Sequence, residues 1–130
     1  MKIGIVVSKW YYEEITEKML MVAQQAAKEA NVEVEVCEVP GSFEVPYGVK
    51  KIIENVDGVV TLGAIVKGST DHDQIIAYTV ASKITDLSLQ YGKPVVLGVN
   101  GPGMSKAQAI ERIPRAGHVM ESCIEMVKNG

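Results

Sequence analysis

Four short runs of valine, isoleucine and leucine, each followed by a segment of helical spacing, constrain the fold of this chain most strongly. The runs lie at residues 3–7, 32–36, 58–62 and 95–99. The second alternates valine with glutamate, as in an edge strand with one solvated face, whereas the first and third are nearly continuous, as in strands buried on both faces. Strands that alternate with helices in this way predict an open parallel sheet covered by helices on both faces.

The segments between the runs carry apolar side chains at helical spacing. We predict helices over residues 15–31, 43–53 and 71–90, and two short helices after residue 103 that are separated at Pro114. The third strand is expected to end at Gly63, and residues 100–103 are expected to form a loop. In the long third helix the buried stripe is predicted to comprise Ile76, Val80, Ile84 and Leu87, widened by Ile75 and Leu89.

Composition limits the classes of function. A chain of 130 residues with 47% apolar content suits a single domain spanning residues 1–130. Its net charge of −3 argues against nucleic acid and anionic membranes as partners. Cys37 and Cys123 lie far apart, which predicts reduced thiols and no metal or redox site. With no apolar run near the ~20 residues of a membrane span and no signal-like segment, we expect a cytoplasmic protein.

Ligands of such sheets bind beyond the carboxyl ends of the strands, which directs attention to the residues that follow each strand. Trp10 follows the first strand, where it either packs in the core or stacks on a flat heterocycle, and its loop position favours stacking. Ser42, Phe43 and Glu44 follow the second strand. There Ser42 is expected to cap a helix with Glu44 favoured by the helix dipole, or the group holds a polyhydroxylated ligand, and both roles remain open.

A glycine- and hydroxyl-rich stretch follows the third strand. Backbone N–H groups near Ser69 and Thr70, in front of a helix, are suited to hold a phosphate, although either residue is equally expected to cap that helix. His72 adjoins this stretch and is a candidate general acid or base, because imidazole titrates near neutral pH. His118 has no comparable setting and is predicted to be structural or at the surface.

The segment after the fourth strand contains Arg112. A guanidinium can bind phosphate with two parallel hydrogen bonds, but within one subunit Arg112 is expected to lie far from Ser69 and Thr70. It would reach them only across a subunit boundary. The alternative is a solvated surface charge beside Glu111.

Four ordered stretches resemble the successive signatures of lumazine synthases, and they cover almost the whole chain. They are Val-Pro-Gly-Ser-Phe-Glu-Val-Pro at residues 39–46, the segment 63–72 with its Gly-Ser-Thr-Asp-His core, residues 94–98, and Gln-Ala-Ile-Glu-Arg at residues 108–112. The archaeal branch is the most similar, given Asp73 after the histidine and the Gly-Pro-Gly-Met segment at residues 101–104.

This resemblance implies a flavodoxin-like three-layer sandwich with a four-stranded parallel sheet in the order 2-1-3-4. It implies homopentamers, which in many members close into shells of sixty subunits, and active sites shared between neighbouring subunits. The implied reaction condenses a ribitylamino-pyrimidine with a four-carbon ketose phosphate on the pathway to riboflavin, with small-molecule substrates and no metal or organic cofactor.

The resemblance also implies a role for each site residue. Trp10 would stack on the pyrimidine, and the ribityl chain would be held by Ser42, Phe43 and Glu44. The pyrimidine pocket would be lined by Ala64, Ile65 and Val66, and the phosphate loop would contain Ser69 and Thr70, with His72 transferring protons. The neighbouring subunit would supply Leu97, which replaces a common aromatic residue, and Arg112. Arg115 lies near the position of a lysine of the family, and we do not assign it that role.

Two alternatives share this strand order. A paralogous archaeal riboflavin synthase has no phosphate to bind, so the Gly-Ser-Thr-Asp-His segment argues against it. A flavodoxin-like binding module, either a phospho-receiver or an FMN carrier, should carry acidic residues or a hydroxyl-rich loop after the first strand, where this chain has Ser8, Lys9 and Trp10.

Overall fold

The centre of the molecule is a four-stranded parallel sheet. The computed structural model describes all 130 residues. The strands are β1 (Lys2–Ser8), β2 (Glu33–Val39), β3 (Gly58–Val66) and β4 (Val95–Met104), in the spatial order β2-β1-β3-β4. All three neighbouring pairs are parallel. The predicted sheet, its strand order and the edge position of β2 are therefore confirmed.

Five α-helices connect or follow the strands. They are α1 (Glu17–Glu29), α2 (Val45–Ile52), α3 (His72–Tyr91), α4 (Lys106–Glu111) and α5 (Arg115–Asn129). A π-helical turn (Tyr12–Thr16) precedes α1, and 3-10 turns (Ser42–Glu44 and Ile53–Asn55) flank α2. The break between α4 and α5 falls at Pro114 as predicted, but α5 has 15 residues and is not short. None of the helices combines the length and apolar character that crossing a membrane requires.

The sheet separates two hydrophobic cores, as the alternation of side chains along each strand dictates. On one face Ile3, Ile5 and Leu62 belong to a core completed by α1 and α5. On the other face Val6 and Val59 pack with α2 and α3. This three-layer arrangement leaves the carboxyl ends of the strands as the open edge of the fold.

Two strands are longer than the sequence predicts. The expected end of β3 at Gly63 is wrong, because β3 continues to Val66; a Cβ on Gly63 would lie 2.7 Å from Ser42 Oγ, so the glycine permits a close approach within the strand. The expected loop at residues 100–103 is wrong as well, since β4 runs to Met104 through a cis Gly101–Pro102 bond. After an irregularity in register, Val66 pairs with Met104.

The buried face of α3 is narrower than predicted. Its fully buried apolar side chains are Ala77, Val80 and Ile84. Ile75 and Leu89, which were expected to widen the stripe, are 61% and 78% exposed, because they project from the side of the helix that faces away from the sheet. Gly92, with φ of 64°, ends the helix as expected.

Gly98 provides a test of how tightly β3 and β4 pack. It is buried in β4, its N–H donates to Thr61 Oγ1 at 3.2 Å, and a Cβ placed on it would overlap the Thr61 carbonyl oxygen. We expect Gly98→Ala to lower the free energy of unfolding by about 1–3 kcal/mol, because the strands must separate to admit the methyl group. Urea denaturation measures this, with Gly68→Ala as the control, since that site is open. Equal stability of the two variants would contradict the packing.

Candidate active site

A cavity of about 270 Å³, which we call the first cavity, lies at the carboxyl ends of β1, β2 and β3. It is lined by Trp10, Tyr11, Gly41, Ser42, Phe43, Glu44, Ala64, Ile65, Val66 and Ile76. Seven of the predicted site residues are therefore brought together here. The segments at the ends of β1, β2 and β3 supply this one cavity, and the segment after β4 does not contribute to it.

Two aromatic rings stand exposed at the cavity. Trp10 is 64% exposed and Phe43 is 54% exposed, so the core-packing alternative for Trp10 is wrong. Trp10 meets Tyr11 edge to face, with ring centroids 6.2 Å apart and planes at 86°. Tyr11 adopts a left-handed backbone conformation with φ of 59°, where the chain turns from the strand edge into the π-helical turn. With nearly two thirds of its surface exposed, the indole is available to a flat ligand.

The strand-one loop is held to α4 from outside the cavity. Lys106 Nζ lies 3.0 Å from Glu14 Oε2 and 5.5 Å from the centre of the Tyr11 ring. The hydrogen bond from Lys106 lowers the pKa of the Glu14 carboxyl below its usual range. Both side chains are half-exposed, so this tie is weak, but it restrains the residue next to Trp10.

Ser42 places an unused hydroxyl beside the cavity. Its Oγ is buried and has no hydrogen-bond partner. The prediction that Ser42 caps a helix is wrong, because Gly41 occupies the cap position and no side chain donates or accepts there. A buried hydroxyl without a partner costs free energy unless a bound group satisfies it. Ser42 is thus suited to a hydroxyl-bearing ligand.

The predicted phosphate residues lie above this cavity and do not line it. Residues 67–72 are all exposed. Neither Ser69 nor Thr70 caps α3, since Asp71 holds that position without a side-chain bond, and Thr70 Oγ1 only accepts from the His72 N–H at 3.4 Å. The His72 N–H is thus used within the protein, whereas the N–H groups of residues 69–71, in front of the helix, have no partner and remain free for an anion.

His72 is connected to the cavity by helix geometry. It is the first residue of α3, and Ile76, four residues later, lines the first cavity. Side chains four residues apart lie on the same helix face and lean toward the N-terminus, so the imidazole stands one turn beyond the cavity wall. The next residue, Asp73, faces the protein interior and is 4% exposed.

The pKa of Asp73 gives the protein an acid sensitivity that can be measured. The Gly103 N–H, 2.8 Å from Asp73 Oδ2, holds the pKa of this carboxyl below its usual range. Because the pKa of Asp73 is lower in the folded state than its unfolded-state value of ~3.9, the ionised carboxyl stabilises the fold above that pH. This stability is lost as the pH falls through the lower, folded-state pKa. We expect the melting temperature to fall between about pH 5 and pH 2, and less steeply in Asp73→Asn. Identical slopes would exclude this contribution.

The second cavity, of about 190 Å³, lies between β4, α1 and α5. It is lined by Met19, Leu97, Gly98, Val99, Asn100, Gly101, Arg112, Arg115, Ala116 and Val119. It shares no residue with the first cavity, so Leu97 and Arg112 are separated from the other predicted site residues within one subunit, as the sequence led us to expect for Arg112. Arg112 is exposed and has no ion pair.

Sequence reasoning missed several cavity residues. Tyr11 and Ile76 line the first cavity, and Asn100 and Arg115 line the second, where Asn100 Nδ2 is buried without a partner. Asn100 could have been predicted as a site residue, because it directly follows the predicted fourth strand. His118 is exposed, 3.7 Å from Glu121, and both cysteines are free, as predicted. Burial raises the pKa of Cys123 to about 12.

The fold and the first cavity define a flavodoxin-like α/β protein with a cavity, flanked by exposed aromatic rings, at the carboxyl edge of its parallel sheet. The family model described as 6,7-dimethyl-8-ribityllumazine synthase matches residues 1–129. The chain therefore belongs to the lumazine synthase family, as the motifs in its sequence predict.

Relatives carrying that name extend over nearly the whole chain. The proteins named 6,7-dimethyl-8-ribityllumazine synthase from Picrophilus torridus and Methanopyrus kandleri are 49% and 48% identical, covering 98% of this chain and 95% and 92% of theirs. The one from Archaeoglobus fulgidus is 44% identical over 98% of this chain and 90% of its own. The archaeal similarity agrees with the sequence prediction.

Solved structures show the same fold at low identity. A flavone reductase superposes with a TM-score of 0.59 at 17% identity, covering 99% of this chain and 64% of its own, so this chain spans less than two thirds of that protein. A fragment of a putative lipoprotein from Peptoclostridium difficile 630 has a TM-score of 0.59 at 10% identity, covering 96% of this chain and 98% of its own. These likenesses support the fold alone.

Proposed function

We propose that this protein condenses 5-amino-6-(D-ribitylamino)uracil with 3,4-dihydroxy-2-butanone 4-phosphate. The products are 6,7-dimethyl-8-ribityllumazine, phosphate and water, in the penultimate step of riboflavin biosynthesis. The observation that carries the proposal is the family match over residues 1–129. The geometry of the first cavity agrees with it, because a flat pyrimidine with a polyhydroxylated tail needs both exposed aromatic rings and unused polar groups.

The pyrimidine occupies the first cavity in this proposal. Its ring stacks on the exposed face of Trp10 and lies against Ala64, Ile65 and Val66 at the end of β3. The ribityl chain extends along the 3-10 turn at Ser42–Glu44, where the Ser42 hydroxyl lacks a partner and Phe43 is exposed. Glu44 offers acceptor oxygens to the ribityl hydroxyls.

The ketose phosphate occupies the start of α3. Its phosphate accepts hydrogen bonds from the free amides near Ser69 and Thr70, with the positive end of the α3 dipole behind them. His72 then stands between the phosphate and the cavity, within reach of the carbons that react. Binding both substrates at one edge of the sheet places the pyrimidine amine next to the ketone.

The chemistry requires orientation and proton transfer. The free amine attacks the ketone, and loss of water gives an imine; a C–H proton is then removed as the C–O bond to phosphate breaks. Loss of phosphate leaves an enol, which tautomerises to a new ketone at the carbon that carried the hydroxyl. The ribitylamino nitrogen attacks this new ketone, and a second dehydration closes the ring. His72 carries protons in these steps, since a neutral imidazole accepts and an imidazolium donates near neutral pH. We assign no metal or organic cofactor to the reaction.

Leu97 and Arg112 enter the site from a neighbouring subunit. Both line the second cavity, which has no wall in common with the first, so they complete the site only if another copy supplies them. Exposed apolar side chains on α3, namely Ile75, Tyr78 and Leu89, support an assembly that covers this face. We propose a homo-oligomer, a pentamer or a sixty-subunit shell, in the cytoplasm.

A product assay tests the proposed function. Purified protein is mixed with the ribitylamino-pyrimidine and the ketose phosphate, and the mixture is followed by lumazine fluorescence and by phosphate release. We expect both signals to rise together and to require both substrates. Formation of riboflavin from added lumazine would instead indicate the riboflavin synthase paralogue. Bound yellow flavin without turnover would indicate a binding module.

A further inference from the structure

Asp73 is a buried carboxylate in the first turn of α3 that lines neither cavity. Successive side chains of a helix point about 100° apart, so Asp73 faces inward while His72, the residue before it, is exposed. Its Oδ1 is buried and has no partner. The Gly103 bond favours the charged carboxylate, but a buried oxygen without a partner offsets part of that gain, so stability alone does not explain this residue.

Two hydrogen bonds close the phosphate loop, residues 68–72, onto one short segment of β4. At the loop's start the Lys67 N–H donates to the Met104 carbonyl at 2.8 Å. At its end the Gly103 N–H donates to Asp73 Oδ2, also at 2.8 Å. Gly103 and Met104 are adjacent, so both ends of the exposed loop are attached to the same point of the sheet. Asp73 provides the only side-chain hydrogen bond in this attachment.

We propose that Asp73 is a positioning residue for the phosphate loop, an inference that rests on the proposed function. By accepting from the Gly103 N–H, its carboxylate fixes where α3 begins. The free amides of residues 69–71 and the imidazole of His72 are thereby held at a set distance from β4. Without this bond the Lys67 N–H makes the only hydrogen bond between the loop and β4, so the loop must be ordered when phosphate binds.

The direction in which phosphate affinity changes when Asp73 is replaced distinguishes a positioning role from a purely electrostatic one. A carboxylate near an anion site repels the anion, so removal of the charge alone should tighten phosphate binding. Removal of the hydrogen bond should weaken it, because the free loop must be ordered on binding. Asp73→Asn removes the charge and keeps an acceptor oxygen for Gly103. Asp73→Ala removes both, so the two variants form a matched pair.

The experiment measures inorganic phosphate binding by calorimetry and pyrimidine binding by the fluorescence of Trp10, the only tryptophan. We expect Asp73→Ala to bind inorganic phosphate about tenfold more weakly than wild type, as loss of one hydrogen bond to a charged group predicts. Its KM for the ketose phosphate should rise in parallel, with pyrimidine affinity within about twofold of wild type. Asp73→Asn should bind phosphate at least as tightly as wild type.

The positioning role would be overturned if folded Asp73→Ala bound phosphate with wild-type affinity. It would also be overturned if phosphate and pyrimidine binding were weakened equally. If Asp73→Ala does not fold, Asp73→Ser takes its place, because a serine hydroxyl is too short to reach the Gly103 N–H. Failure of the wild-type protein to bind phosphate and to form lumazine would refute the proposed function. If the wild-type protein forms lumazine and Asp73→Ala keeps its phosphate affinity and KM, the positioning role is refuted and the proposed function stands.

Discussion

Replacement of His72 by alanine should slow lumazine formation by about 10- to 1,000-fold, the range expected when a general acid or base is removed. The loss should appear mainly in kcat, because the imidazole acts on bonds that change in the reaction and holds neither substrate in place. His72 is exposed at the start of α3, where a truncated side chain leaves no cavity in the core. Stability and assembly should therefore stay as in wild type.

His118→Ala is the matched control for this variant. His118 is the only other histidine and is exposed on α5, where it contacts only Glu121. Its replacement should leave kcat unchanged. Steady-state kinetics followed by lumazine fluorescence gives both values, and melting temperatures exclude loss of fold. Full activity in the His72 variant would remove this residue from the mechanism.

Replacement of Arg112 by alanine should chiefly raise the KM for the ketose phosphate, by about 10- to 100-fold, because a guanidinium–phosphate contact is a charge-assisted pair. The KM for the pyrimidine should change little. Lys128→Ala, which removes an exposed charge near the end of α5, is the control for net charge. An unchanged KM for the ketose phosphate in Arg112→Ala would leave Arg112 as a solvated surface residue.

Mixing the two variants tests whether sites are shared. Each site needs His72 from one subunit and Arg112 from its neighbour, so dissociated Arg112→Ala and His72→Ala proteins that reassemble together should regain about a quarter of wild-type activity. At ketose phosphate concentrations well below the KM of Arg112→Ala, each variant reassembled alone should show only its own low residual activity. Equal activity in mixed and separate samples would show that both residues act within one subunit.

The sequence predicted the sheet well because its signal is local. Alternation in β2 indicates an edge strand with one solvated face, and the continuous apolar runs of β1 and β3 indicate central strands buried on both faces. The apolar run of β4 did not reveal its position, because β4 is the other edge strand and its Leu97 is exposed. The ends of β3 and β4 were mistaken because glycine and proline usually mark turns. Gly63 is instead required by the close approach of Ser42, in the 3-10 turn after β2, and the pairing of Val66 with Met104 joins residues far apart in sequence.

The candidate site was predictable to the extent that strand ends define it. Trp10, Ser42 and Ala64 follow or end three adjacent strands, so their meeting in one cavity follows from the strand order. The buried face of α3 depends on how the helix lies on the sheet. Apolar periodicity alone therefore placed Ile75 on the buried face, although its side chain is exposed. The Asp73–Gly103 bond likewise depends on the extended course of β4, which no local pattern revealed.

A crystal structure of the protein with inorganic phosphate and the ribitylamino-pyrimidine tests the central claim most directly. We predict phosphate on the amides of residues 69–71, the pyrimidine stacked on Trp10, Arg112 of a neighbouring subunit at the phosphate, and the His72 imidazole between the two ligands. A start of α3 without phosphate, with its amides bonded to protein groups and the imidazole turned away from the pyrimidine, would contradict this account.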